Sequence, residues 1–157
     1  MILIKKDKKY YMLYIALKKI ILLGFFVIGF SQEHYVSIGF LDHKTGNSLV
    51  GYARTILKHE NHEVFVGVGT LLAMNTLSVG WKYYISDSPI KFYSVLATQG
   101  IAGMGGGFIA PAISIGIEKK ITKKLFMNLG INSNLRIYAN RPMELIAFPN
   151  ININYRY

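Results

Sequence analysis

The chain has 157 residues, room for one domain but not for two full cores. It contains no cysteine, which excludes disulfides, thiolate metal sites and a cysteine nucleophile. A formal net charge of +10 would suit nucleic acid, but half of it lies in residues 1–31 and the rest is scattered, so no nucleic-acid partner is expected.

Residues 20–30 read IILLGFFVIGF and follow Lys18 and Lys19. A helix needs about 20 apolar residues to cross a bilayer, so this run is short for an anchor. The order of basic, apolar and small residues is that of a secretory leader. Gly29 and Ser31 take the −3 and −1 positions if cleavage falls before Gln32, and Met12 is an alternative start. We therefore expect a cleaved, helical signal peptide over 1–31 and a mature domain over 32–157. The alternative is an uncleaved helical anchor using the apolar residues from Tyr10 onward. With no cysteine near Ser31, lipid attachment there is not expected.

Past residue 32 the hydrophobic period is 2, not 3.6. With 11 Tyr, 9 Phe and 15 Gly against 4 Pro, the composition also suits half-buried strands. Eight strands are predicted, near 34–41, 49–58, 63–72, 76–85, 90–98, 109–118, 124–133 and 148–157. Val36, Ile38 and Phe40 oppose Ser37 and Gly39, while Val64, Val66 and Val68 oppose Phe65, Gly67 and Gly69. The fourth strand alternates most cleanly, with Leu77, Val79, Trp81, Tyr83 and Ile85 against Ser78, Gly80, Lys82 and Tyr84. Ile113, Ile115 and Ile117 oppose Ser114, Gly116 and Glu118; Leu125, Met127, Leu129 and Ile131 alternate with Asn128, Gly130 and Asn132. In the second and fifth strands Arg54 and Lys91 disturb either assignment of faces.

The connections at 59–62, 86–89 and 119–123 are short turns. Those at 42–48, 99–107 and 134–147 are longer, and only the one near 73–75 breaks the alternation by being short. An even strand count with alternating turns and loops is the pattern of an antiparallel up-and-down transmembrane β-barrel. The second face argues in the same direction. It is mostly Gly, Ser and Asn with few charges, which suits a narrow barrel interior better than the wetted outer face of a sandwich.

The last strand carries a more specific signal. Ile151, Ile153, Tyr155 and Tyr157 alternate with Asn152, Asn154 and Arg156, and the chain ends in an aromatic residue. This strand resembles the terminal signal that barrel-insertion machinery reads, and the whole mature region resembles the small eight-stranded outer-membrane barrels of the OmpA type. The resemblance is architectural and implies no functional residue. It implies a monomer in the outer membrane of a Gram-negative cell, with lipid and the insertion machinery as partners.

Lys82, Glu118 and Arg156 fall on the inward face of strands four, six and eight, at one level near the periplasmic end. A buried charge needs a partner, so these three are expected to form a lumen ion-pair network, joined by Arg54. The other candidates are weaker. His59, Glu60, His62 and Glu63 could ligate a metal, but they sit at a hairpin turn, and neither metal nor cofactor is expected. Gly103-Met104-Gly105-Gly106-Gly107 lacks the helix and the Lys-Ser/Thr ending of a phosphate loop, and reads as a mobile loop. The lysines at 119, 120, 123 and 124 read as a solvated turn. A lipid-modifying enzyme would need a serine held by a base, such as Ser37, Ser78 or Ser133 with His34 or His43, and none of these sits in a recognisable motif. The expected function is therefore non-enzymatic: structure, surface interaction or membrane integrity. The alternatives are that enzyme, or an exported soluble barrel with an apolar lumen for a hydrophobic ligand.

Overall fold

The computed structural model describes residues 33–86, 88–104, 106–136 and 143–157. The expected signal peptide lies outside the described residues. Eight strands follow in chain order: β1 (Glu33–Phe40), β2 (Val50–His59), β3 (His62–Leu71), β4 (Met74–Tyr84), β5 (Ile90–Gly103), β6 (Gly106–Lys120), β7 (Leu125–Arg136) and β8 (Glu144–Arg156). Each pairs antiparallel with the next, and β1 closes on β8, so the sheet is a closed barrel. Closure leaves no strand edge with unpaired backbone groups.

The faces divide as the alternation dictates. Leu77, Val79 and Trp81 of β4 are exposed on the outer wall, while Thr76, Ser78, Lys82 and Tyr84 are buried inside. On β8, Ile151, Ile153 and Tyr155 point out and Asn150, Asn152, Asn154 and Arg156 point in. The same outward row of Ile113 and Ile115 stands against Ser114 and Glu118 on β6. The barrel is thus turned inside out relative to a protein folded in water. Its largest aliphatic side chains are outside: Ile38 is 64% exposed, Ile115 58% and Ile151 53%. Residues buried inside are largely Ser, Thr, Asn and charged groups. A small apolar cluster of Phe65, Tyr84, Tyr93 and Val95 is the exception, filling the lumen between β3, β4 and β5.

The two strands of ambiguous facing are resolved. Lys91 follows the inward parity of Tyr93 and Val95, whereas Arg54 shares the outward parity of Tyr52 and lies opposite His34 and Val66, both on the outer wall. The expectation that Arg54 joins a lumen network is therefore corrected. The cause is the register of β2, which turns Gly51, Ala53 and Thr55 inward; its irregularity comes only later, between Thr55 and Leu57.

Two connections also differ from expectation. The loop expected over 99–107 is a tight turn, because β5 runs to Gly103 and pairs there with Gly106 at the start of β6. A ladder needs backbone groups rather than side chains, so Ala102 and Gly107 continue it although they carry no strand pattern. β8 likewise begins at Glu144, ahead of the expected 148. β5, at 14 residues, and β6, at 15, are tall beside the 8 residues of β1. The low β1–β2 side of the wall is where the first loop enters the barrel. Below, the lower end is the one holding Glu33 and Tyr157, and the upper end is its opposite.

Candidate functional site

The lumen is the place where the sequence gathers its buried chemistry. Its lower half is built from strands that deliver one charged side chain each. β4 supplies Lys82, β6 Glu118 and β8 Arg156, three residues brought to one level because all three strands run toward the lower end. Glu118 accepts on Oε2 from Lys82 Nζ at 2.7 Å and from Arg156 Nη2 at 2.5 Å, while its Oε1 accepts from Tyr84 Oη at 3.1 Å. Aromatic rings cushion the cations. Lys82 Nζ lies 4.1 Å from the Tyr93 ring centroid, and the Arg156 guanidinium 4.0 Å from that of Phe126.

The second component comes from the loop between β1 and β2. Leu41 takes a left-handed backbone conformation (φ 57°) as the chain leaves β1 and turns into the barrel. Asp42 and Gly46 exchange two backbone hydrogen bonds, at 2.9 and 2.7 Å, and Gly46 supplies the positive φ of 77° that this tight turn needs. The Asp42 carboxylate fixes the turn further. Its Oδ1 accepts from the Lys44 and Thr45 amides at 2.6 and 3.0 Å, and its Oδ2 from Tyr35 Oη at 2.7 Å. Asp42, His43, Lys44 and Thr45 are all buried.

From that turn Lys44 reaches Glu63 on β3 at 2.7 Å, and His43 Nε2 lies 3.0 Å from Lys82 Nζ. A charged lysine ammonium only donates, so His43 Nε2 is the acceptor in this contact when Lys82 is charged. The loop therefore connects both charge clusters into one plug. Three cations (Lys44, Lys82 and Arg156) and three carboxylates (Asp42, Glu63 and Glu118) are buried together among the described residues. This balance offsets the desolvation that a lone buried charge would suffer.

The strands make room for the loop. A Cβ at Gly67 would overlap the Lys44 carbonyl, and one at Gly51 would overlap the Thr45 side chain. Asparagines from β7 and β8 line the opposite wall of the lumen. Asn128 donates to Asn152 at 3.1 Å, Asn150 to Asn132 at 3.3 Å, and Asn152 to the Leu41 carbonyl at 2.9 Å, tying the loop's entry to β8. Ser114 is hydrogen-bonded to Asn132 in the same layer.

Of the residues singled out by sequence, Lys82, Glu118 and Arg156 are in contact and Arg54 stands on the outer wall. Ile151, Ile153 and Tyr155 on β8 form an exposed row that Tyr157, just past the strand, continues, and Tyr157 stacks on His34 with centroids 5.1 Å apart. The histidine turn disperses. His59 and Glu60 are exposed, His62 stacks on Trp81, and Glu63 points inward to Lys44. Nor do the serines and histidines meet. Ser37 bonds Thr45, His43 faces Lys82, His34 bonds Tyr52, and no serine hydrogen-bonds a histidine among the described residues.

The loop residues Asp42, His43 and Lys44, with their partners Tyr35 and Glu63, were not expected in the site. A polar loop reads as an outer loop whether it is solvated or folded inward. The signal that could have found them is the glycine spacing on the inner face of β2 and β3, since glycine inside a strand often marks close approach of another backbone.

No family model and no curated protein matches the sequence. Among solved structures, Neisserial surface protein A is similar over 79% of this chain and 92% of its own, at 12% identity and a TM-score of 0.46. A likeness of that degree bears on neither the chemistry of the lumen nor the partners.

Proposed function

We propose that the protein is a monomeric, non-enzymatic barrel of a Gram-negative outer membrane, serving structure, surface interaction or membrane integrity. The observation that carries this reading is the inversion of its faces: an aliphatic outer wall around a polar, ion-paired interior. An apolar surface wrapping every strand would be a severe liability in water and is the ordinary surface of a protein in lipid. Aromatic residues at both ends of the wall support it. Trp81, Tyr155 and Tyr157 stand toward the lower end and Phe40 and Phe108 toward the upper, at the heights where membrane interfaces would fall. An exported soluble barrel for a hydrophobic ligand would need the opposite arrangement.

The lumen content supports a role other than conduction. An eight-stranded barrel has room for little beyond its own side chains, and here the first loop occupies part of that room. The lipid-modifying alternative gains nothing from the placement of the serines and histidines described above. The outward row of Ile151, Ile153, Tyr155 and Tyr157 is the proposed recognition signal for the insertion machinery.

Fractionation of cells expressing the protein, with a gel comparing boiled and unboiled samples in detergent, tests the reading. Outer-membrane recovery with a mobility shift on boiling is the expected result. Recovery in the soluble periplasm would overturn it. Removal of Tyr157 is expected to lower the outer-membrane yield, whereas unchanged yield would remove the terminal strand as the signal.

A further inference from the structure

Below the plug, the lower mouth of the barrel opens into a cavity of about 350 Å³ whose lining is dominated by charge. Its charged residues are Lys58, Lys91, Lys120, Lys123 and Arg156 against Glu33, Glu60, Glu63 and Glu118. Most of the carboxylates are already committed. Glu118 is taken by Lys82 and Arg156, Glu63 by Lys44 from above, and Glu33 by Lys58 at 3.2 Å. Lys44 and Lys82 stand behind the cavity without lining it, so its field is more positive than the lining alone implies. Lys120 and Lys123, from the end of β6 and the turn that follows, are exposed at the mouth and form no ion pair among the described residues. Arg156 also lines the cavity. It is only 8% exposed, and its Nε has no hydrogen-bond partner among the described residues although Nη2 is held by Glu118.

A buried guanidinium lining this cavity, above two exposed lysines that form no ion pair among the described residues, is a donor set suited to a phosphate-class anion. We propose that this cavity is a binding site for a phosphate group, with the Arg156 guanidinium as its inner donor and Lys120 and Lys123 as its mouth. Phospholipid headgroups and soluble phosphates share that chemistry, and both are available at the lower end of a membrane barrel. Glu60 is the carboxylate of the lining that pairs with no lysine or arginine among the described residues, and being exposed it can swing away from an entering anion. The proposal goes beyond the functional reading above, since a barrel can serve structure with or without a ligand at its mouth.

The test uses the full barrel, folded in detergent, with the Arg156 Nε–H resonance as the reporter. Titration with inorganic phosphate is compared with chloride at equal ionic strength. The expected result is a saturable shift with phosphate alone. In the Lys120→Gln/Lys123→Gln variant the affinity should fall about tenfold, because two charges leave the mouth. Gel mobility shows that this variant still folds, since both changes lie outside the barrel's buried network. A second arm, in buffer without inorganic phosphate, places the barrel in bilayer discs of zwitterionic phosphatidylcholine alone or mixed with anionic phosphatidylglycerol. A shift only with phosphatidylglycerol assigns the site to an anionic lipid headgroup, whereas a shift only with inorganic phosphate assigns it to a soluble phosphate. A shift that follows ionic strength equally in chloride, or that survives loss of both lysines unchanged, overturns the proposal.

Discussion

At the scale of single residues, Glu118 is the position on which the lower lumen depends. It is the carboxylate that meets both Lys82 and Arg156. Replacing it with alanine leaves two cations buried in a narrow interior, a change that costs about 3–5 kcal/mol when one partner of a buried pair is removed. We therefore expect Glu118→Ala to lower the denaturant midpoint of the folded barrel sharply. A loss below about 1 kcal/mol would mean that water solvates these charges as it would at a surface. The Lys44–Glu63 pair gives a complementary case. Lys44→Met alone leaves Glu63 buried with only Lys58, 3.8 Å from its Oε1, while Lys44→Met/Glu63→Met removes both charges. The double variant should be the more stable of the two, because the pair's worth lies in mutual compensation rather than in net attraction. Equal stability of the two would contradict the coupling.

At the scale of elements, the decisive feature is the inward fold of the loop between β1 and β2. Lys44 is fully buried, so trypsin should not cut after it in the folded barrel. Gly67→Val places a side chain where the Lys44 carbonyl now sits, and should drive the loop out of the lumen. Cleavage after Lys44 in a barrel that keeps its heat-modifiable mobility is the expected outcome; continued protection would mean that the loop is not seated as described. Legibility in the sequence also varied by element. β4, β6 and β8 were legible because one face is aliphatic and the other is Ser, Asn, Gly or charge, so period 2 assigns both. β5 was not, because apolar residues lie on both its faces: Tyr93 and Val95 pack inward with Phe65, while Phe92 and Leu96 face out. Arg54 was misplaced because a charge on the outer wall runs against the pattern of that wall. The three-way contact of Lys82, Glu118 and Arg156 follows from strand direction and parity alone. The part of the site supplied by the first loop does not, since no hydrophobic period extends through Asp42–Ser48.

At the scale of the whole molecule, an apolar exterior surrounds a filled interior. A barrel closed by its own loop and by paired charges should carry no stepwise current in a planar bilayer, and a stable conductance in the unmodified protein would contradict the plug. The central claim, however, is that the outer wall faces lipid. Trp81 reports on it directly, being the one tryptophan in the chain and 39% exposed on that wall. The most direct measurement is its fluorescence in vesicles of brominated lipid, with aqueous iodide as the control. The account predicts strong quenching by the brominated acyl chains and little by iodide. Ready quenching by iodide with none by the lipid would place the apolar wall away from the membrane and contradict it.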